Sequence, residues 1–129
     1  METFKIITLS LSGLLLLFVG VMRLSNPIKT YLKNSGIKLE KEVNLLNELR
    51  GVSSVQLCAG IIILLGIFIS KLTIISFAVA TLIFLGFAIG RFISIGIDGK
   101  PNKQLIQGLI FEIVFGLANI FVLINMQIL

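Results

Sequence analysis

The chain contains no histidine and no tryptophan, and only one cysteine and one tyrosine among its 129 residues. The lack of histidine removes the commonest metal ligand, the usual haem ligand and the commonest general base. A lone cysteine, Cys58, excludes an internal disulfide. It sits in an apolar run and reads as a small hydrophobe rather than a reactive thiol. Without tryptophan, any aromatic belt at a membrane surface rests on the ten phenylalanines. Charge is also scarce: 13% of residues are charged, against about 25% in soluble domains. In their place stand apolar residues, 57% of the chain, with a mean hydropathy of +1.09. This composition excludes a soluble globular protein, and it excludes disorder, which needs low hydrophobicity and high charge. The length suits one compact unit over residues 1–129 rather than two domains.

The net charge is +5. In a soluble protein such an excess points to nucleic acid. In a membrane protein it reports orientation and contact with anionic lipid, so membrane lipids are the expected partners and nucleic acid is not.

A spanning helix needs about 20 mostly apolar residues. Four stretches meet this, at about 4–23, 50–70, 72–97 and 102–127. No small-x-small cleavage site follows the first, so it reads as a retained span rather than a signal peptide. The second and third meet at Lys71 with almost no loop and predict a tight antiparallel hairpin. Asp98-Gly99-Lys100-Pro101 is turn chemistry, with Pro101 placed to open the last helix. The long first connection breaks at Ser25-Asn26-Pro27 and again at Asn34-Ser35-Gly36. An amphipathic segment follows at about 37–49, with Leu39, Val43 and Leu46 on one face. It is either an interfacial helix or an extension of the second span, and the absence of Gly or Pro between Leu39 and Arg50 favours the extension.

Lysine and arginine are unevenly divided. Lys5 and Lys71 fall on one side. Arg23, Lys29, Lys33, Lys38, Lys41, Arg50, Arg91, Lys100 and Lys103 fall on the other. The positive-inside rule puts that basic side in the cytoplasm and both termini outside.

A charge inside the bilayer costs about 2.5 to 3.5 kcal/mol at a helix centre, so such a residue faces the bundle interior, pairs, or marks a site. Glu112 lies ten residues after Asn102, about 15 Å along a helix and close to mid-membrane. Arg91 lies seven residues before Asp98, about 10 Å inside the turn. Ser94 and Asp98 share the face of Arg91. Glu48 and Arg50 stand where the second span begins. Glu48, Arg50, Arg91, Ser94, Asp98 and Glu112 thus form a candidate polar cluster at the basic end. Arginine suits it because the planar fork stays charged and binds carboxylate or phosphate through two bonds. Gly86 and Gly90 have the small-xxx-small spacing that lets helices approach closely, and Gly108, Glu112 and Gly116, repeating every four residues, form a small-polar-small stripe expected to face another helix.

Glu48-Leu49-Arg50-Gly51, then Gly86 to Arg91 running through Ser94 to Asp98-Gly99-Lys100-Pro101, then Glu112 in the last span, together resemble a small bacterial family of four-helix integral membrane proteins, the domain of unknown function 4345. The resemblance covers most of the chain and implies a fold and a set of positions but no reaction. A looser similarity is to DoxX-like four-helix membrane proteins, some linked to quinone or thiol redox chemistry. This chain lacks the cysteine pair and the histidine that such chemistry would use.

The sequence therefore predicts an all-α bundle of four transmembrane helices in a bacterial inner membrane. No catalytic residue, metal ligand or cofactor is assigned. The leading reading is a non-enzymatic protein whose Arg/Glu cluster binds a lipid head group or another anionic ligand. The alternatives are an accessory subunit of a larger membrane complex, docking on another membrane protein or a second copy, and a quinone- or proton-handling protein using Glu112. The plainest alternative is an Arg91–Glu112 pair that only locks two helices together.

Overall fold

The two prolines, Pro27 and Pro101, lie outside the long apolar runs, so no residue in those runs lacks the donor a helix needs. The computed structural model of the protein describes residues 1–128. Its helices are α1 (Glu2–Ser25), α2 (Pro27–Ser35), α3 (Val43–Phe68), α4 (Thr73–Asp98) and α5 (Lys103–Ile128). α1 has 24 residues, and α3, α4 and α5 have 26 each. At 1.5 Å per residue these four are about 36 to 39 Å long, enough to cross a hydrocarbon core of about 30 Å. All four are also apolar enough to do so. Among the described residues there is no strand.

The four long helices form a bundle in which α1 packs on α3, α3 on α4 and α4 on α5. Leu9, Leu16, Ile63, Phe77, Phe84 and Val122 fill its centre, and Phe84 stacks on Phe115 with ring centroids 5.3 Å apart. The outside is apolar as well: Phe18 is 65% exposed, Leu82 71% and Phe68 82%. A molecule with such a rind has no stable place in water; its natural solvent is lipid.

α3 and α4 form the expected hairpin. α3 ends at Phe68, a single 3-10 turn covers Ser70–Leu72, and α4 starts at Thr73. The Thr73 hydroxyl donates to the Gly66 carbonyl at 2.8 Å and the Ser76 hydroxyl to the Ile62 carbonyl at 2.8 Å, tying the two helices where they turn. α1 and α5, by contrast, touch lightly. Asn119 Nδ2 donates to Ser12 Oγ at 3.0 Å, and Phe4 meets Phe121 edge-on at 6.4 Å. Both contacts lie in the half of the bundle away from the basic end.

The long first connection is folded across the basic end of the bundle. Asn26 caps α2, its side chain accepting from the Lys29 amide at 3.3 Å with Pro27 in the first turn. Gly36 ends α2 at φ 66°, a left-handed conformation that glycine adopts without strain. The Thr30 hydroxyl donates to the Met22 carbonyl at 2.9 Å, Asn102 Nδ2 to Ser35 O at 2.9 Å and Gln104 Nε2 to Lys33 O at 3.0 Å. α2 is thereby held to both α1 and α5.

Two local expectations are corrected here. The amphipathic segment at 37–49 is helical only from Val43. The Glu42 carboxylate accepts from the Asn44 and Leu45 amides at 3.0 Å each, which starts the helix there and leaves 37–42 non-helical. Residues 43–49 then continue through Arg50 into the span without a break. Pro101 does not open the last helix. Asn102 caps it, its side chain accepting from the Leu105 amide at 2.8 Å.

Candidate functional site

The basic half of the bundle contains the ion pair. Arg91 Nε donates to Glu112 Oε1 at 2.7 Å, joining α4 to α5. The Glu112 side chain is 14% exposed and that of Arg91 29%. This is the one hydrogen bond of the Arg91 guanidinium among the described residues, so its two terminal nitrogens remain free to act as a fork.

The pair borders a cavity of about 180 Å³. Each spanning helix supplies it with one polar side chain: Arg23 from α1, Gln56 from α3, Arg91 from α4 and Glu112 from α5. Arg23 comes from the last turn of α1 and lies over the Tyr31 ring of α2, 4.6 Å from its centroid, a cation–π contact that holds its stem at the bundle mouth. Gln56 is 4% exposed, and its Oε1 is buried without a hydrogen-bond partner. A buried amide left so is expensive, and structures rarely leave one without a ligand, a water or a functional reason. The apolar part of the wall includes Leu16, Val19, Phe84 and Phe87. Two arginines against one glutamate leave the lining one positive charge in excess.

The other residues of the predicted cluster are not gathered there. Arg50 is exposed and its guanidinium donates to the Leu24 carbonyl, so it caps the C-terminal end of α1. Glu48 is exposed on α3 and lines neither the cavity nor the ion pair. Two positions apart on a helix, Glu48 and Arg50 point about 160° apart, to nearly opposite sides of α3. Asp98 ends α4 and accepts from the Ser94 hydroxyl at 2.9 Å, both exposed. They share the face of Arg91 but not its depth, since Asp98 is about 10 Å further along the axis. Ser94 does help to line a small recess of about 90 Å³ on another side of Arg91. Arg23 and Gln56 take the places these residues leave.

The glycines are corrected too. A Cβ built at Gly86, Gly90 or Gly108 would meet nothing within 4 Å, so none of the three lets a neighbouring helix in. Gly108 instead lines the cavity, where the missing side chain leaves room. Gly116 differs, since a Cβ there would collide with Leu85. The close approach in this bundle belongs to α1 and α3. A Cβ at Gly60 would lie 2.7 Å from the Leu17 amide nitrogen, and one at Gly20 2.7 Å from that of Leu57. Cys58 is exposed on α3 as a free thiol, away from the cavity. Among the described residues no group of acidic, cysteine or histidine side chains could hold a metal ion.

Four spanning helices around a small polar centre define the class: a multi-pass α-helical membrane protein. Residues 4–123 match the model of a family described as a domain of unknown function, DUF4345, and the chain belongs to that family. No curated protein and no solved structure matches it.

Proposed function

We propose that this is a non-enzymatic membrane protein that binds the anionic head of a membrane-soluble molecule in the cavity between its four spans. The observation that carries this reading is the convergence of Arg23, Gln56, Arg91 and Glu112, one from each span, on one cavity with a positive charge in excess. An anion there would take the free fork of Arg91, balance the second arginine and accept from Gln56 Nε2, while Gln56 Oε1, an acceptor, would still need a donor such as water. Glu112 orients Arg91 through Nε and neutralises it when the site is empty. On the positive-inside rule the cavity opens toward the cytoplasmic leaflet of a bacterial inner membrane, where anionic lipid is plentiful.

The competing reading is that the Arg91–Glu112 pair only locks α4 to α5. The two separate on thermal unfolding of the full chain in a neutral detergent. Butyl phosphate and butyrate should raise the midpoint of the wild type, and butanol should not. A ligand at 100 times its Kd stabilises by about 2.7 kcal/mol. Arg91→Gln should abolish the response, and Arg91→Lys, which keeps the charge without the fork, should restore part of it. Equal shifts from butanol, or an undiminished response in Arg91→Gln, would remove the anion site and leave the lock.

A further inference from the structure

Resting on that reading, we infer that Gln56 sets the specificity of the cavity, selecting an anion that carries a hydroxyl group beside its charged oxygen. Gln56 is 4% exposed and lines the cavity. Its Oε1 is buried without a partner. A site for a bare anion needs donors only. A buried acceptor that nothing satisfies counts against such a ligand and favours one that brings a donor.

Among the described residues no side chain supplies that donor. On α3 the Ser53 hydroxyl, three residues before Gln56, donates to the Leu49 carbonyl at 2.7 Å. Around the cavity α1 presents Leu16 and Val19, and α4 presents Phe84 and Phe87. None of these side chains can donate, and an ionised Glu112 only accepts. Neither arginine bonds to the amide: Arg23 lies over the Tyr31 ring and Arg91 holds Glu112. Gln56 is nonetheless close to them in height. A Cβ at Gly20 would lie 2.7 Å from the Leu57 amide nitrogen, so Gln56 stands within about one turn of Arg23 along the bundle axis.

The amide itself narrows the ligand. Nε2 donates and Oε1 accepts, side by side on one carbon. The complement is an acceptor and a donor side by side. A carboxylate with a hydroxyl on the neighbouring carbon offers this. So does a singly charged phosphate monoester, with a charged oxygen and a hydroxyl on one phosphorus. The charged oxygens take the Arg91 fork and Gln56 Nε2, and the hydroxyl donates to Oε1. The cavity of about 180 Å³ holds about six groups the size of a water molecule, at about 30 Å³ each, enough for an anionic head and one hydroxyl. A ligand without the hydroxyl leaves Oε1 to a trapped water or leaves it bare, and either costs affinity.

Thermal unfolding of the full chain in neutral detergent tests this with two series of ligands at about pH 5.5, below the second phosphate pKa of about 6. In the first, butyrate, 2-fluorobutyrate and 2-hydroxybutyrate differ little in size, and only the last has a donor. In the second, butyl phosphate and butyl methyl phosphate are both mostly singly charged, and only the monoester has a hydroxyl. One hydrogen bond is worth about threefold to tenfold in Kd, so the donor-bearing member of at least one series should bind more tightly by that factor. The series that shows it names the head. Gln56→Leu and Gln56→Met, which carry no amide, should still respond to the anions and lose the preference. No preference in either series, or one that survives in both variants, overturns the role of Gln56 while the cavity keeps its response to plain anions. No response of the wild type to any of the five overturns the anion site as well.

Discussion

At the scale of single residues, two uses of charge bear on stability. Arg50 satisfies a helix end, and Arg91 and Glu112 satisfy each other inside. Arg50→Ala should cost about 0.5 to 1.5 kcal/mol, the worth of one hydrogen bond near a helix C-terminus, read as a lower unfolding midpoint with anion binding intact. Glu112→Gln removes a charged hydrogen bond from a partly buried partner and should cost about 1.5 to 3 kcal/mol. The double variant Arg91→Leu with Glu112→Leu should be less damaging than the sum of the two single changes, because neither charge is then left alone. A double-mutant cycle on unfolding free energies measures this, and an additive result contradicts the pair. Arg91 and Glu112 were legible in the sequence because each is an ionised group inside an apolar run. Arg23 was not, since an arginine at the end of a span reads equally well as an interfacial anchor. Gln56 is polar in an apolar run, but which way it points depends on the rotation of α3, fixed only by packing against α1 and α4.

At the scale of helices, glycine spacing alone is ambiguous. Gly86 and Gly90, four apart, looked like a packing stripe, yet they face outward. Gly13, Gly20 and Gly60 carry no such pattern within one helix, and still they line the seam of α1 with α3. A spacing of four places two small residues on one face; it does not say whether that face meets a helix or lipid. The structure predicts opposite outcomes. Gly60→Ala puts a methyl group against the backbone of α1 and should destabilise by about 1 to 3 kcal/mol, the range for overpacking. Gly86→Ala meets nothing and should be neutral, or stabilising by up to about 1 kcal/mol from helix propensity. Denaturant unfolding of the two variants in the same detergent tests this, and equal losses would contradict the packing. Helix ends were partly legible. Asn26 and Gly36 marked α2, whereas α3 starts at Glu42 and α5 at Asn102, not Pro101, because the side chains of Glu42 and Asn102 reach free amides.

At the scale of the whole molecule, the hydrophobic majority dictates four spans, and the hairpin between the second and third follows from the missing loop at Lys71. These were legible because they depend on length and composition. How the spans gather round a cavity was not, since contacts between α1 and α5 are long-range and sparse. Orientation rests on charge asymmetry. In a Cys58→Ala background, a cysteine at position 2 should be labelled by an impermeant reagent added to intact spheroplasts, and one at position 34 only after permeabilisation. The reverse pattern would turn the cavity toward the opposite leaflet.

The central claim, an anionic ligand held between the spans, is met most directly by native mass spectrometry of the protein extracted from its own membrane. The account predicts that the wild type carries one bound acidic molecule and that Arg91→Gln, isolated in the same way, lacks it. A wild type that flies without an acidic adduct, or an Arg91→Gln protein that carries the same one, would contradict it.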